Sequence, residues 1–179
     1  MILDRFLTFS GVVGTSIVDS WAGADPTEST NIIDLHMAGI PVLANLQGAR
    51  DMGIGDNPAL KMLLQVVTAF AGGTSLQVAL QGAPDNGSGV PGSYATWWLS
   101  PVYLTATLVV GARLYDMDLP RPPQGIGIPR FLRILYTNDG TFSAGELYAG
   151  IVLDRMDQPY AGTNNSIMGG YPAGVTVAN

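Results

Sequence analysis

Lys61 is the only lysine in the chain, and Glu28 and Glu146 are the only glutamates. These two residue types ordinarily fill the solvent faces of helices, where their straight side chains lose little rotamer freedom. A chain of 179 residues that all but omits them has little with which to cover surface helices. It carries 23 glycines and 12 prolines instead, which break it into short pieces as turns do in β proteins. The expected class is all-β.

Alternation places the strands. Across residues 74–81, Leu76, Val78 and Leu80 alternate with Gln77, Ala79 and Gln81, a period of two that sends one face to a core. Residues 130–137 alternate likewise, with Leu132, Ile134 and Tyr136 on one side and Phe131, Arg133 and Leu135 on the other. Further strands are expected at 6–9, 14–18, 31–35, 62–71, 94–99, 104–111, 112–119 and 142–153, with loops at 36–57, 84–92 and 120–129. Gly72-Gly73 reads as the turn of a hairpin between 62–71 and 74–81, and Asn138-Asp139-Gly140 makes 142–153 the partner of 130–137. About eight strands with long loops fit a jelly-roll-type β-sandwich occupying residues 1–157, including an N-terminal extension. Residues 158–179, rich in Gly, Asn and Pro, are expected to form an extended C-terminal arm.

Composition narrows the partners. Charged residues are 12% of the chain, against roughly 25% in an ordinary soluble domain, so much of the surface is apolar or neutral and suited to burial against another protein. A net charge of −6 disfavours nucleic acid, which attracts basic surfaces. No basic amphipathic stretch and no apolar run of about 18 residues points to a membrane. The start, Met1-Ile2-Leu3-Asp4-Arg5-Phe6, has no basic lead-in and is interrupted by Asp4, so no signal peptide is expected. Cysteine is absent, which excludes disulfides and thiolate metal sites and suits folding in a reducing cytosol.

Catalytic constellations are hard to assemble. His36 is the only histidine, which rules out a multi-histidine metal centre, and no serine sits in a Gly-x-Ser-x-Gly turn. Gly53-Ile54-Gly55 begins like a dinucleotide-binding loop, but the third glycine is missing and Pro58 stands where the helix should start. Asp116 and Asp118 share a strand face, and Asp154 and Asp157 flank Arg155; either pair has the chemistry for a cation or a glycosidase, although ion pairs are the commoner use. The expectation is no enzyme, no cofactor and no metal, with a paired-aspartate hydrolase as the catalytic alternative. Trp97-Trp98, near Tyr94 and Tyr103, is the strongest aromatic feature. Neighbours on a strand face opposite sides, so one indole belongs in the core and the other outside, at a subunit interface or on a sugar-binding platform. Candidate interface residues are Trp97, Trp98 and Tyr103, with Tyr160 and Tyr171 in the arm.

An ordered series of segments is more specific. Met1-Ile2-Leu3-Asp4 is followed by Ser29-Thr30-Asn31-Ile32-Ile33-Asp34-Leu35, Ala49-Arg50-Asp51-Met52-Gly53-Ile54-Gly55-Asp56 and Leu64-Gln65-Val66-Val67-Thr68-Ala69-Phe70. Then come Ser75-Leu76-Gln77-Val78-Ala79-Leu80-Gln81, Pro129-Arg130-Phe131-Leu132-Arg133-Ile134-Leu135-Tyr136-Thr137, Thr141-Phe142-Ser143-Ala144-Gly145, Ala149-Gly150-Ile151-Val152-Leu153-Asp154 and Tyr171-Pro172-Ala173-Gly174. The series resembles the Bbp16-type capsid cement, or decoration, proteins of tailed bacteriophages. It departs from their pattern at residues 19–27, 36–48 and 97–110. The resemblance implies a jelly roll, a symmetric homodimer, and a place on the outer surface of a virion shell built from HK97-fold major capsid subunits. Such a chain would be made in the host bacterial cytoplasm. The resemblance implies no cofactor and no catalytic residue. A carbohydrate-binding jelly roll for receptor recognition is the alternative, on the strength of the tryptophan pair.

Overall fold

A computed structural model gives the fold. It describes residues 3–12, 15–22, 25–35, 60–123 and 129–152, together with 158–159 and 167–168. The strands are β1 (Leu3–Thr8), β2 (Asp19–Ser20), β3 (Ile33–Asp34), β4 (Lys61–Gly72), β5 (Ser75–Ala83), β6 (Ala95–Leu99), β7 (Tyr103–Leu104), β8 (Arg113–Asp118), β9 (Phe131–Asp139), β10 (Phe142–Val152), β11 (Gln158–Pro159) and β12 (Ile167–Met168). Among the described residues the helical part is a single 3-10 turn at Thr105–Thr107.

Two antiparallel sheets form a sandwich. The first runs β1-β10-β4-β8, with β2 continuing the β1 edge on β10; the second runs β3-β9-β5-β6, with β7 continuing the β6 edge on β5. Eight principal strands in this order, all antiparallel, make the double Greek key of a jelly roll. β11 and β12 pair with each other, and the rest of the expected arm lies outside the described residues.

Alternation explains the core. Met62, Leu64 and Val66 face inward from the first sheet, and Leu76, Val78, Leu80, Leu132 and Ile134 from the second; all are buried in one cluster. Each such side chain contributes about 1.5–3 kcal/mol relative to exposure. Leu63, Tyr148 and Val152, with Val18 against them, form a smaller cluster on the other face of the first sheet.

Both expected hairpins prove to be crossings between sheets. β4 lies in the first sheet and β5 in the second; β9 lies in the second and β10 in the first. The pairing partners are instead β4 with β10 and β5 with β9, and the register is unbroken across the corner: Gly72 opposes Phe142, and Ser75 opposes Asp139. The two turns bond to each other, Gly73 N–H to Thr141 O at 2.8 Å and Thr74 N–H to Asp139 O at 2.6 Å. Left-handed φ values of 74° at Gly72 and 44° at Gly73 make the sharp fold possible. The physical reason is that both ribbons are apolar on the face turned inward. Folding the paired ribbons over buries those faces against each other, whereas a flat hairpin would leave them open.

Two other expected strands also differ. Residues 15–18 form a turn, with Thr15 and Ser16 N–H groups donating to Val12 O at 3.0 Å each, and the strand begins at Asp19. Residues 104–111 are taken up by β7, the 3-10 turn and a second turn, because Leu108 N–H closes back on Thr105 O and Ala112 N–H on Val109 O, each at 3.0 Å.

Segment 19–35 ties the two sheets at the corner end. It leaves β10 as β2 and reaches β9 as β3, and on the way Thr27 O accepts Tyr136 N–H at 2.8 Å and Ile134 O accepts Ser29 N–H at 2.8 Å. Under this strap the Tyr136 hydroxyl donates to the buried Asp19 carboxylate at 2.7 Å. Burial, and after it the Asp19 charge, push the Tyr136 hydroxyl well above its ordinary value of 10.0. The folded chain therefore keeps a proton that the unfolded chain releases near pH 10. This contribution is complete below about pH 10 and is lost as pH rises above it. Replacing Tyr136 by Phe should make the alkaline fall in stability shallower by about 1.4 kcal/mol per pH unit, measured by urea unfolding across pH 9–12.

Candidate protein-interaction surface

β6 and β7, on the lateral edge that β8 completes, lie in a stretch with no charged residue between Asp85 and Arg113. β6 pairs with β5 through a bulge: Leu80 opposes Trp98 and Gln81 opposes Thr96, so Trp97 is the extra residue. The bulge cancels the alternation that would send the two indoles to opposite faces, and both pack on the main core. Trp97 lies across Gly82, where the Cβ of any other residue would overlap its ring. Trp98 meets Tyr115 of β8 edge-on, with ring centroids 4.5 Å apart, closing the sandwich between the two sheet edges. Tyr103 also packs on the core and donates its hydroxyl to Leu114 O at 2.6 Å. Burial pushes the Tyr103 and Tyr115 hydroxyls up.

Beyond β7 the chain crosses from one sheet edge to the other. Thr105 N–H donates to Thr74 O at 3.1 Å, just before β5 of the second sheet; Leu108 O accepts Phe70 N–H at 3.0 Å, and Val66 O accepts Gly111 N–H at 2.8 Å, in the first. With the aromatic rings turned inward, the large side chains that residues 99–110 expose to solvent are aliphatic. Leu99, Val102 and Leu104 are 56%, 56% and 58% exposed, and Val109 and Val110 are exposed as well. A row of open aliphatic side chains without a charge among them can be covered by another protein at little desolvation cost.

Charges elsewhere are largely spent on one another. Asp116 is bound to Arg113 at 3.0 Å, and Asp118 to Lys61, so the two aspartates that share a strand face each hold a different cation. Arg130 makes two hydrogen bonds to Asp34, at 2.8 and 3.0 Å, and pairs with Asp85, pinning β3 and the loop after β5; Asp34 above all raises its pKa. Arg133 pairs with Glu28, donates to Gln81 at 2.9 Å and sits 3.8 Å over the Tyr94 ring. A sugar platform would need Trp97, Trp98 and Tyr94 to show flat faces; two indoles are turned into the sandwich and the Tyr94 ring carries a guanidinium. Among the described residues no three His, Cys, Asp or Glu side chains converge as a metal site.

Of the five candidate interface residues, Trp97, Trp98 and Tyr103 line the inner side of this edge, and Tyr160 and Tyr171 lie outside the described residues. So do His36, Gly53-Ile54-Gly55 and the Asp154, Asp157 pair. Leu99, Val102 and Leu104 were not legible from aromatic content; the signal for them is the absence of charge from Asn86 to Ala112.

No curated protein matches the sequence. The sequence model of one phage-related family, Bbp16, matches residues 19–151, from β2 almost to the end of β10. Met1-Ile2-Leu3-Asp4 and Tyr171-Pro172-Ala173-Gly174 fall outside the matched span. With the match covering most of the sandwich, the chain belongs to the Bbp16 family.

Proposed function

We propose that this chain is a structural component of a phage particle: a cement protein that sits as a homodimer on the exterior of an HK97-fold capsid, contacts the major capsid protein and bridges capsomers. The observation that carries the reading is the match to a phage-related family across residues 19–151. The surface chemistry fits it. A shell under outward pressure from packaged DNA needs contact area that does not depend on salt, and the uncharged stretch with Leu99, Val102 and Leu104 offers such area. In a two-fold dimer every contact occurs twice, so the second engagement is intramolecular and modest patches add up to strong retention. A net charge of −6 keeps the protein off nucleic acid in the infected cell. The role requires no cofactor and no chemical step.

The test is reconstitution. Purified protein, sized as a dimer by light scattering, is mixed with expanded empty capsids, and bound copies are counted after sedimentation and located by electron cryo-microscopy. Density on the exterior bridging capsomers, with a raised capsid melting temperature, is the expected result. Failure to co-sediment sinks the proposal. Leu99→Asp with Leu104→Asp should weaken binding about tenfold or more, as replacing contact residues at an interface does, while leaving the free protein's melting temperature nearly unchanged.

A further inference from the structure

We infer that Asn86 is a site of spontaneous chemical modification, converted to aspartate and isoaspartate through a cyclic imide closed by the Gly87 nitrogen. Asn86-Gly87 is the one Asn-Gly pair in the sequence, and both residues are exposed in the loop between β5 and β6. A side chain on the residue after an asparagine ordinarily hinders the backbone nitrogen from reaching the side-chain amide carbon. Here there is none: Gly87 has φ 94°, and the place a Cβ would occupy has no atom within 4 Å.

The loop holds both reacting groups. Asn86 Oδ1 accepts the Ser88 N–H at 2.9 Å. That bond polarises the amide carbonyl and is aimed at the oxygen on which negative charge builds during attack. The Gly87 N–H donates to Asp85 Oδ1 at 2.8 Å. A peptide nitrogen attacks with electrons perpendicular to the peptide plane, whereas its N–H lies in that plane. The hydrogen bond to Asp85 orients the nucleophile, and it must open before the proton is removed. Hydroxide removes the Gly87 amide proton, the Gly87 N to Asn86 Cγ bond forms, and the Cγ to Nδ2 bond breaks. The leaving nitrogen takes a proton from water and departs as ammonia. Water then opens the imide at either carbonyl, giving aspartate or isoaspartate, with no change in oxidation state. Isoaspartate adds a backbone carbon inside a turn that is closed by Asn86 N–H on Val90 O at 3.1 Å and by Asp85, whose carboxylate also holds Arg130.

The chain contains its own controls. Asn31 donates its amide to Gly11 O at 2.6 Å and precedes Ile32. Asn138 accepts from Trp21 and donates to Pro26 O at 2.8 Å, and it precedes Asp139. Asp139-Gly140 can form the same imide, but it loses and regains water, so it adds no mass. The full-length protein is incubated at mildly alkaline pH, and peptides are followed by mass spectrometry with enzymatic isoaspartate labelling. The Asn86 peptide should gain the mass difference between amide and acid about tenfold or more faster than the Asn31 and Asn138 peptides, with the rate rising with pH. Asn86→Gln and, independently, Gly87→Ala should suppress it, in variants whose melting temperature shows them folded. Conversion at Asn86 no faster than at Asn31 and Asn138, or unslowed by Gly87→Ala, overturns the inference.

Discussion

Replacing Trp21 by alanine should destabilise the domain by about 3–5 kcal/mol, the usual cost of emptying a buried indole site. Trp21 is 0% exposed and is held on every side. Its ring lies 4.8 Å from that of Phe70 and 5.0 Å from that of Tyr136, and Phe70 in turn meets Phe142 edge-on at 5.2 Å. Its Nε1 donates to Asn138 Oδ1 at 2.9 Å, and its backbone N–H donates to Gly145 O at 2.9 Å. This aromatic cluster fills the corner where the two paired ribbons fold over, and it receives side chains from both sheets and from the strap between β2 and β3. Removal opens a cavity that rigid neighbours cannot fill and strands the Asn138 oxygen. In a chain of this size the melting temperature should fall by roughly 6–20 °C. Trp21→Phe keeps most of the ring volume and loses the hydrogen bond, so it should cost roughly 1–2 kcal/mol. Urea and thermal unfolding of both variants measure this. If Trp21→Ala melted within a degree or two of the parent, the aromatic cluster would not be what holds the corner together.

Trp21 also shows where legibility ends. The strands with sustained alternation, β5 and β9, are visible in the sequence because their periodic side chains face one core over many residues. The class follows from the near-absence of lysine and glutamate. Asp19 in the two-residue β2 and Trp21 just after it are buried in part by residues more than a hundred positions away, and no local period can report that. The two apparent hairpins have the same origin. A turn such as Asp139-Gly140 records that the chain reverses, but not whether the returning strand joins the same sheet; that depends on which faces find a partner. At the lateral edge, the Trp97 bulge is a two-against-one register with β5, a property of the pair that neither strand carries alone. The aliphatic row became visible only once the bulge had drawn the rings inside.

Asp19→Ala should cost about 3 kcal/mol or more, because hydrogen bonds to a charged group contribute roughly 1.5–3 kcal/mol and each donor stranded in the interior adds a penalty. The Asp19 carboxylate is 2% exposed and gathers donors from three separate parts of the chain. Gly11 N–H reaches Oδ1 at 2.9 Å, the Thr30 N–H at 3.3 Å and the Thr30 hydroxyl also bond to Oδ1, and the Tyr136 hydroxyl bonds to Oδ2. Among the described residues no cation pairs with it, and the partners they supply are these dipoles. They also join the turn after β1, the strap and β9 at one point. Asp19→Asn separates charge from connectivity. The amide oxygen can still accept from Gly11 and Thr30, and the Tyr136 hydroxyl can rotate to accept from the new amide group, so only the Tyr136 O–H proton loses its acceptor. Asn should therefore recover at least half of the loss seen with Ala. Hydrogen exchange should show the difference locally, with the Gly11 and Thr30 amides unprotected in Asp19→Ala and protected in Asp19→Asn. Equal destabilisation by the two variants would mean that the carboxylate's charge, rather than its role as a shared acceptor, holds the strap to the sandwich.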